Sequence, residues 1–246
     1  MLIYDLDLIS LESALKEWNE PTYRAKQIWQ GLYQHLYSTP EQFSNLPNSL
    51  RSKIAERFTF NPFTVKTYLD SSDRSTRKTL FQLPDGNLIE SVLMRYGDPA
   101  DEHISHASEK GTKQRRTLCI STQAGCAMGC VFCATGQLGF KRNLSSGEIV
   151  AQVMYYAQML KQQNEVVSNV VFMGMGEPFH NYENVMAAID RLNDADGYKF
   201  GARRLTISTV GLVPQIRRFA DEQRQVNLAI SLHAADDDER LAIMPV

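Results

Sequence analysis

Past residue 117 the chain alternates between short apolar runs and longer amphipathic stretches, a pattern that restricts it to parallel strands joined by crossover helices. The apolar runs predict strands over 117–121, 168–173, 204–208 and 226–231, and the amphipathic stretches predict helices over 147–162, 182–192 and 213–222. The first of these helices carries its own start signal. Ser145 and Glu148 have capping-box spacing, and Ile149, Val153, Tyr156 and Leu160 recur on one face. Four parallel strands are too few to close a barrel, so the expected class is α/β with an open, partial (β/α) barrel. Ligands of such folds bind where the strands end.

The segment before this core reads differently. Ala25, Ile28, Trp29, Leu32 and Leu36 share a helical face after Pro21, and Leu50, Ile54 and Phe58 repeat the spacing after Asn48. From Phe63 the pattern becomes strand-like, with runs at 79–83 and 88–94 joined by Pro84, Asp85 and Gly86 as a turn. The expected organisation is a small helical plus hairpin accessory domain over 1–95, a polar linker over 96–116, and the partial barrel over 117–246. With a net charge of −2, the whole chain carries no electrostatic footprint for nucleic acid. Phosphate contacts would have to come from local clusters: the run Lys110, Lys113, Arg115 and Arg116, and the pairs Lys141–Arg142, Arg203–Arg204 and Arg217–Arg218. Asp5 and Asp7 give the N-terminus the wrong charge order for a targeting peptide, and the uncharged stretch 117–140 is broken by glycine, cysteine and polar residues. A cytoplasmic protein with no membrane span is expected.

All four cysteines, Cys119, Cys126, Cys130 and Cys133, fall within fifteen consecutive residues, which argues for metal or redox chemistry and against a disulfide framework. The last three form C-x3-C-x2-C in a glycine-rich segment directly after the first parallel strand. Three thiolates so spaced on a loop can hold three irons of a [4Fe–4S] cube, leaving the fourth iron without a protein ligand. An open coordination position is the mark of a reactive metal centre. Two other readings use the same residues: a zinc site completed by Cys119 or a distant histidine, and buried free thiols.

Other positions also admit two readings. Gly174, Met175, Gly176, Glu177 and Pro178 follow an apolar strand, where side-chain-free backbone can approach a ligand and a carboxylate can accept from an ammonium group; an ordinary strand-to-helix turn would look the same. Ser208, Ser231, Leu232 and His233 lie at the carboxyl ends of predicted strands. Met173 and Met175 alternate within an apolar run and are expected in the core. Cys119 reads as a buried strand thiol. Glu90 interrupts the run 88–94, either on the solvent face of the hairpin or as a placed functional group.

The cysteine loop resembles the signature of radical S-adenosylmethionine enzymes. Together with TLCISTQAGC, VFCATGQLGF, VVFMGMGEP, TISTVGLVP and LAISLHA in the same order, it resembles in particular the adenine-C2 RNA methyltransferases that act on 23S ribosomal RNA and on some transfer RNAs, from roughly Ile89 to Val246. The resemblance implies a partial radical S-adenosylmethionine barrel. It also implies a [4Fe–4S] cluster on Cys126, Cys130 and Cys133, S-adenosyl-L-methionine at the open iron, an electron donor, and RNA as substrate. Gly176 and Glu177 would bind the cofactor's amino group, and Ser208, Ser231, Leu232 and His233 would contact it elsewhere. Cys119 would remove the proton from carbon 2 of the adenine adduct and then form a transient disulfide, and Glu90 would be a proton acceptor.

One departure matters. In the resembled family the methyl group rides on a second cysteine beyond the fourth strand, and a cofactor-contacting asparagine lies there too, whereas this chain has no cysteine after Cys133. The 246 residues are therefore expected to hold the cluster without completing turnover. Two alternatives remain: a radical S-adenosylmethionine enzyme with a non-RNA substrate, and a non-catalytic iron–sulfur or zinc-binding fragment.

Overall fold

The computed structural model describes residues 1–97 and 114–246, so Lys110, Lys113 and most of the expected linker lie outside the described residues. Three helices open the chain: α1 (Leu8–Glu17), α2 (Tyr23–Tyr33) and α3 (Asn48–Arg57). Sequence periodicity predicts only the last two. The signal for α1 is short: Leu11 and Leu15 are buried, and the carboxylate of Asp7 accepts from the Ser10 N–H at 2.7 Å as an N-cap. Helix α2 ends at Tyr33, short of Leu36. There Leu36 turns to φ +59°, and the Tyr37 N–H returns to the Gly31 carbonyl at 2.8 Å, which lets Tyr37 pack edge-on against Phe43. Gly31 is required by this corner, because a Cβ there would lie 2.2 Å from the Phe43 ring.

The remaining chain builds β1 (Thr64–Asp70), β2 (Thr76–Gln82), β3 (Leu88–Tyr96), β4 (Arg115–Cys119), β5 (Gln123–Ala124), α4 (Ala134–Gln137), β6 (Arg142–Asn143), α5 (Ser146–Lys161), β7 (Asn169–Phe172), α6 (Tyr182–Asn193), β8 (Leu205–Thr209), α7 (Val213–Asp221), β9 (Asn227–Ile230) and α8 (Asp237–Ile243). Seven strands form one sheet in the order β1-β2-β3-β4-β7-β8-β9, while β5 and β6 make a separate short ladder. The pairs from β4 to β9 are parallel, as the alternation requires, and those from β1 to β4 are antiparallel. The hairpin therefore extends the core sheet through β3–β4 pairing, where the sequence pattern grouped it with the helices. An exposed turn at Gly86, with φ +86°, gave no hint of that outer pairing.

Register shows why the two faces of the sheet differ. Leu93, Leu118, Val170 and Leu205 stand side by side across four strands, and all are fully buried. Beneath them lies α5, whose Ile149, Val153, Tyr156 and Leu160 are also fully buried. One residue along, the row Val92, Cys119, Val171 and Thr206 points to the opposite face and is only half-buried. The N-terminal unit docks on the helical side. Arg191 of α6 donates to the Asp5 and Leu6 carbonyls, Gly147 N–H donates to the Asp5 carboxylate at 2.8 Å, and Trp29 donates to Asp194 at 3.2 Å.

The capping box that starts α5 is present. Ser145 Oγ accepts from the Glu148 N–H at 3.1 Å and Glu148 accepts from the Ser145 N–H at 2.9 Å. Two turns on, fully buried Gln152 fastens the helix to the sheet. Its oxygen accepts from Ser121 N–H (2.9 Å) and Ser91 Oγ (2.6 Å), and its amide nitrogen donates to the carbonyls of Ser121 (2.9 Å) and Glu148 (3.3 Å). Replacing Gln152 by leucine strands several buried polar groups, so Q152L is expected to lower stability by about 2–4 kcal/mol in urea denaturation.

Candidate active site

Four loops meet beyond the carboxyl ends of the parallel strands. The cysteine loop after β4 brings Cys126, Cys130 and Cys133, the turn after β7 brings Met173, Gly174, Gly176, Glu177 and Pro178, β8 ends in Ser208 and Thr209, and β9 runs into Ser231 and His233. These residues line one cavity of about 350 Å³, with Met128, Phe132, Thr135, Val210 and Met244 among the other walls. Larger cavities exist elsewhere, but none gathers the cysteines.

Glu177 is the hub. Only 2% exposed, its Oε1 accepts from Thr209 Oγ1 at 2.7 Å and from the Phe179 N–H at 3.0 Å, and its Oε2 accepts from the Val210 N–H at 2.9 Å. Burial pushes this carboxyl above the usual range, while the three donors pull the other way. Its backbone N–H donates to Gln123 Oε1 at 2.9 Å, and the Gln123 amide nitrogen reaches Asn143 Oδ1 (2.8 Å) and His180 Nδ1 (3.0 Å). Gly176, at φ +101°, owes its identity to this packing: a Cβ would sit 2.5 Å from Gln123. The glycine is thus demanded by a neighbouring side chain, a reason that strand-end position alone does not reveal.

Ser121 performs the parallel task between β4 and β7, donating to the Glu90 carbonyl at 2.6 Å and accepting from the Met175 N–H at 2.9 Å. Ser208 and Ser231 face each other with hydroxyl oxygens 3.2 Å apart. His233 takes φ +61°, and its ring lies 4.7 Å from that of Phe132 on the cysteine loop; Leu232 beside it is 63% exposed. The expected core role of Met173 is corrected. Strand β7 stops at Phe172, so Met173 leaves the sheet, is 46% exposed and lines the cavity. Met175 is half-buried against the core.

Cys119 and Glu90 share the half-buried face of the sheet. Cys119 stands directly across from Val92, and Glu90 is two residues from Val92 on the same strand, which makes the pair diagonal neighbours. Burial pushes the Cys119 thiol up to about 11, partly offset by a hydrogen bond from the Met173 backbone. Glu90 forms an ion pair with Lys78 Nζ at 3.0 Å. Gln123, Thr209 and Ser121 were not singled out from sequence. All three adjoin residues that were, yet nothing in their spacing says that they bridge loops.

The basic clusters divide. Arg116 is buried and ion-paired with Glu165 at 2.6 Å, and Arg115 lies over the Tyr96 ring. Arg142 forks onto Glu148 and reaches Asp85, and Arg218 lies over Tyr182 and pairs with Glu183 and Glu222. Arg203 and Arg204 precede β8, at the end of the sheet away from the cavity.

Residues 120–245 match the family model of the radical SAM superfamily, and residues 2–60 match the N-terminal domain of the ribosomal RNA large subunit methyltransferase. The chain belongs to the radical SAM superfamily. Within it, the chain is 48% identical to the probable dual-specificity RNA methyltransferase RlmN of Chloroflexus aurantiacus, over 99% of its own length and 62% of the relative's. It is 45% identical to RlmN 1 of Myxococcus xanthus, over 99% and 63%. A crystal structure of a radical SAM methyltransferase from Sphaerobacter thermophilus superposes with a TM-score of 0.90 at 44% identity, covering 100% of this chain and 67% of the other. The chain is thus similar to RlmN proteins over nearly its whole length, and it spans a little under two thirds of the length of those curated relatives.

Radical SAM proteins use a [4Fe–4S] cluster and S-adenosyl-L-methionine, and the donor set fits that pair. Among the described residues no group of three or more His, Cys, Asp or Glu side chains is arranged around a single point. A cube asks for less convergence, because each thiolate takes its own iron. The three cysteines lining one cavity, beside a buried carboxylate, meet that requirement. Among the described residues no helix is long and apolar enough to cross a membrane.

The raised Cys119 thiol gives a pH signature. Only the thiolate alkylates, so in the metal-free chain the iodoacetamide rate at Cys119, followed by peptide mass spectrometry, is expected to climb about tenfold per pH unit between roughly pH 7 and 10 without levelling. A plateau near neutrality would show a thiolate poised without help.

Proposed function

We propose that this chain is the cofactor-binding part of an enzyme that methylates carbon 2 of adenine in 23S ribosomal RNA and in transfer RNA in the cytoplasm. The observation that carries the reading is the convergence of Cys126, Cys130, Cys133, Gly176, Glu177, Ser208, Ser231 and His233 on one cavity. The match of residues 2–60 to a ribosomal RNA methyltransferase domain supports RNA as the substrate class. On this reading residues 1–60 are the RNA-directed unit, and the sheet from β1 to β9 carries the chemistry.

Carbon 2 of adenine lies between two ring nitrogens and is electrophilic, so a polar methyl transfer to it is unfavourable. When bound, the cluster and the sulfonium cofactor supply one-electron chemistry that avoids this obstacle. The protein's own groups orient and shield. Cys126, Cys130 and Cys133 would hold three irons. Glu177, fixed by three donors, and the Gly176 backbone would receive the cofactor's amino group, and Ser208, Ser231, Leu232 and His233 would border the rest of it. Cys119 accepts the proton from carbon 2. Since burial keeps its thiol protonated at rest, it must first lose that proton, and Glu90, on the same face one diagonal step away, is the base we assign to it. Lys78 holds the Glu90 carboxylate at 3.0 Å. An electron donor completes the system.

The methyl-carrying cysteine of the resembled family has no counterpart within these residues, since none follows Cys133. Anaerobic reconstitution is expected to load about four irons per chain and to confer S-adenosyl-L-methionine binding. A ribosomal RNA fragment incubated with the loaded 246-residue chain is expected to yield no 2-methyladenosine by mass spectrometry. Failure to take up iron and sulfide would overturn the cofactor assignment, and repeated turnover would overturn the assignment of the missing carrier. The variant C130A is expected to lose most of the bound iron, measured by chelator assay, while retaining the fold by circular dichroism.

A further inference from the structure

A second cavity, of about 440 Å³, adjoins the turn that borders the first. Glu177 and Pro178 of this turn line the cysteine cavity, and Phe179, His180 and Asn181, which follow directly, line the second. The start of α7 adds Pro214 and Gln215 to the lining. Nothing in the proposed chemistry uses this space.

Four carboxamides line it, and one is spent on the fold. Asn181 is 3% exposed, donates to the carbonyls of Thr122 and Leu144 at 2.8 Å each, and accepts from Asn184 Nδ2 at 2.8 Å. The other three are half-buried and keep unused atoms. Asn184 retains its Oδ1, Asn143 accepts from Gln123 through Oδ1 and retains its Nδ2, and among the described residues the Gln215 side chain has no hydrogen-bond partner. His180 adds a donor. Gln123 Oε1 is taken by the Glu177 N–H, so the Gln123 amide nitrogen faces His180 Nδ1 at 3.0 Å, and that ring nitrogen must accept. The neutral ring then carries its proton on Nε2, and an acceptor placed there leaves the bond to Gln123 intact. Charge narrows the choice of ligand. Glu183 and Arg218, the carboxylate and the guanidinium of the lining, pair with each other, so the lining holds no surplus positive charge for a phosphate. What it offers is paired donors and acceptors beside planar groups: the Tyr182 ring under Arg218, and the His180 ring with Phe140 edge-on to it. Unpaired RNA bases are held by planar side chains and by hydrogen bonds to their edges, and a carboxamide matches the adjacent donor and acceptor of adenine.

We propose that this second cavity takes an unpaired adenine of the RNA strand, a neighbour of the one that is methylated, so that the protein reads the sequence context of its target. The inference rests on the RNA-methylating reading above and adds a recognition site to it. Asn184 and Gln215 supply the base-edge contacts, and His180 Nε2 donates to a ring nitrogen.

The test measures, by fluorescence anisotropy over a range of salt concentrations, how tightly the reconstituted 246-residue chain and its N184A and Q215A variants bind a short oligoadenylate and an abasic strand of the same length. An oligoadenylate carrying 8-azidoadenosine is also photo-crosslinked to the wild-type chain, and the adducts are mapped by peptide mass spectrometry. Both variants are expected to bind the oligoadenylate about tenfold more weakly with an unchanged salt slope, and to bind the abasic strand as the wild type does. Adducts are expected within 179–184 or 214–218. Equal weakening for both strands together with a shallower salt slope would mark a phosphate contact and overturn the proposal. Unchanged affinity in both variants, or adducts confined to other segments, would overturn it as well. N184A also releases the bond to Asn181, whereas Q215A breaks no side-chain bond of the fold, so Q215A decides if N184A is destabilised. A wild-type chain that binds neither strand would instead refute RNA as the substrate class, so the two failures are distinguishable.

Discussion

The candidate site depends on side chains that bond to the backbone of a neighbouring loop. A parallel sheet leaves its carboxyl ends with polar backbone groups that no further ladder satisfies, and loops running over them are free to splay. Here Gln152 binds the N–H and carbonyl of Ser121, Ser121 binds Glu90 and Met175, Gln123 binds Glu177, and Glu177 binds Phe179 and Val210. Each link joins one strand end to the next, so β3, β4, β7 and β8 present their ends as a single surface. Because these bonds are buried or partly buried, water competes for them less than at the surface, and each is worth more than a fully exposed contact of the same length.

This arrangement explains what could and could not be read in advance. Periodicity is a property of each segment alone, and it located every parallel strand and crossover helix to within a residue or two. Helix α1 escaped because its buried face is only Leu11 and Leu15, and the hairpin was grouped with the wrong neighbours because strand pairing is a relation between segments. The same distinction holds in the site. Cys126, Cys130 and Cys133 announce themselves by local spacing. Gln123 and Thr209 act on residues tens of positions away, and no local pattern marks them.

The structure also revises the meaning of residues that were noticed. Gly176 was read as room for a ligand, but the nearer constraint is the Gln123 side chain, so any substitution there would first displace the clamp on Glu177. Met173 was read as core because a strand pattern seemed to continue through it; the strand had already ended. For Met173 the strand boundary was misplaced, and for Gly176 the constraint came from a side chain distant in sequence.

Charge distribution bears on how RNA would be held in the proposed reading. Of the basic clusters in the sequence, Arg116, Arg142 and Arg218 are committed to carboxylates within the fold, and Arg203 and Arg204 sit at the far end of the sheet. The segment from the cysteine loop to β6, whose Phe132 lines the cavity, instead exposes apolar side chains. Val131, Phe132 and Leu138 are each more than half exposed, Phe140 is 40% exposed with its ring edge-on to His180, and Lys141 follows directly. Exposed rings such as Phe132 suit the faces of unpaired bases, whose stacking does not depend on salt as phosphate contacts do. A site built this way favours an adenine already free of a helix, because it offers little to compensate for opening one.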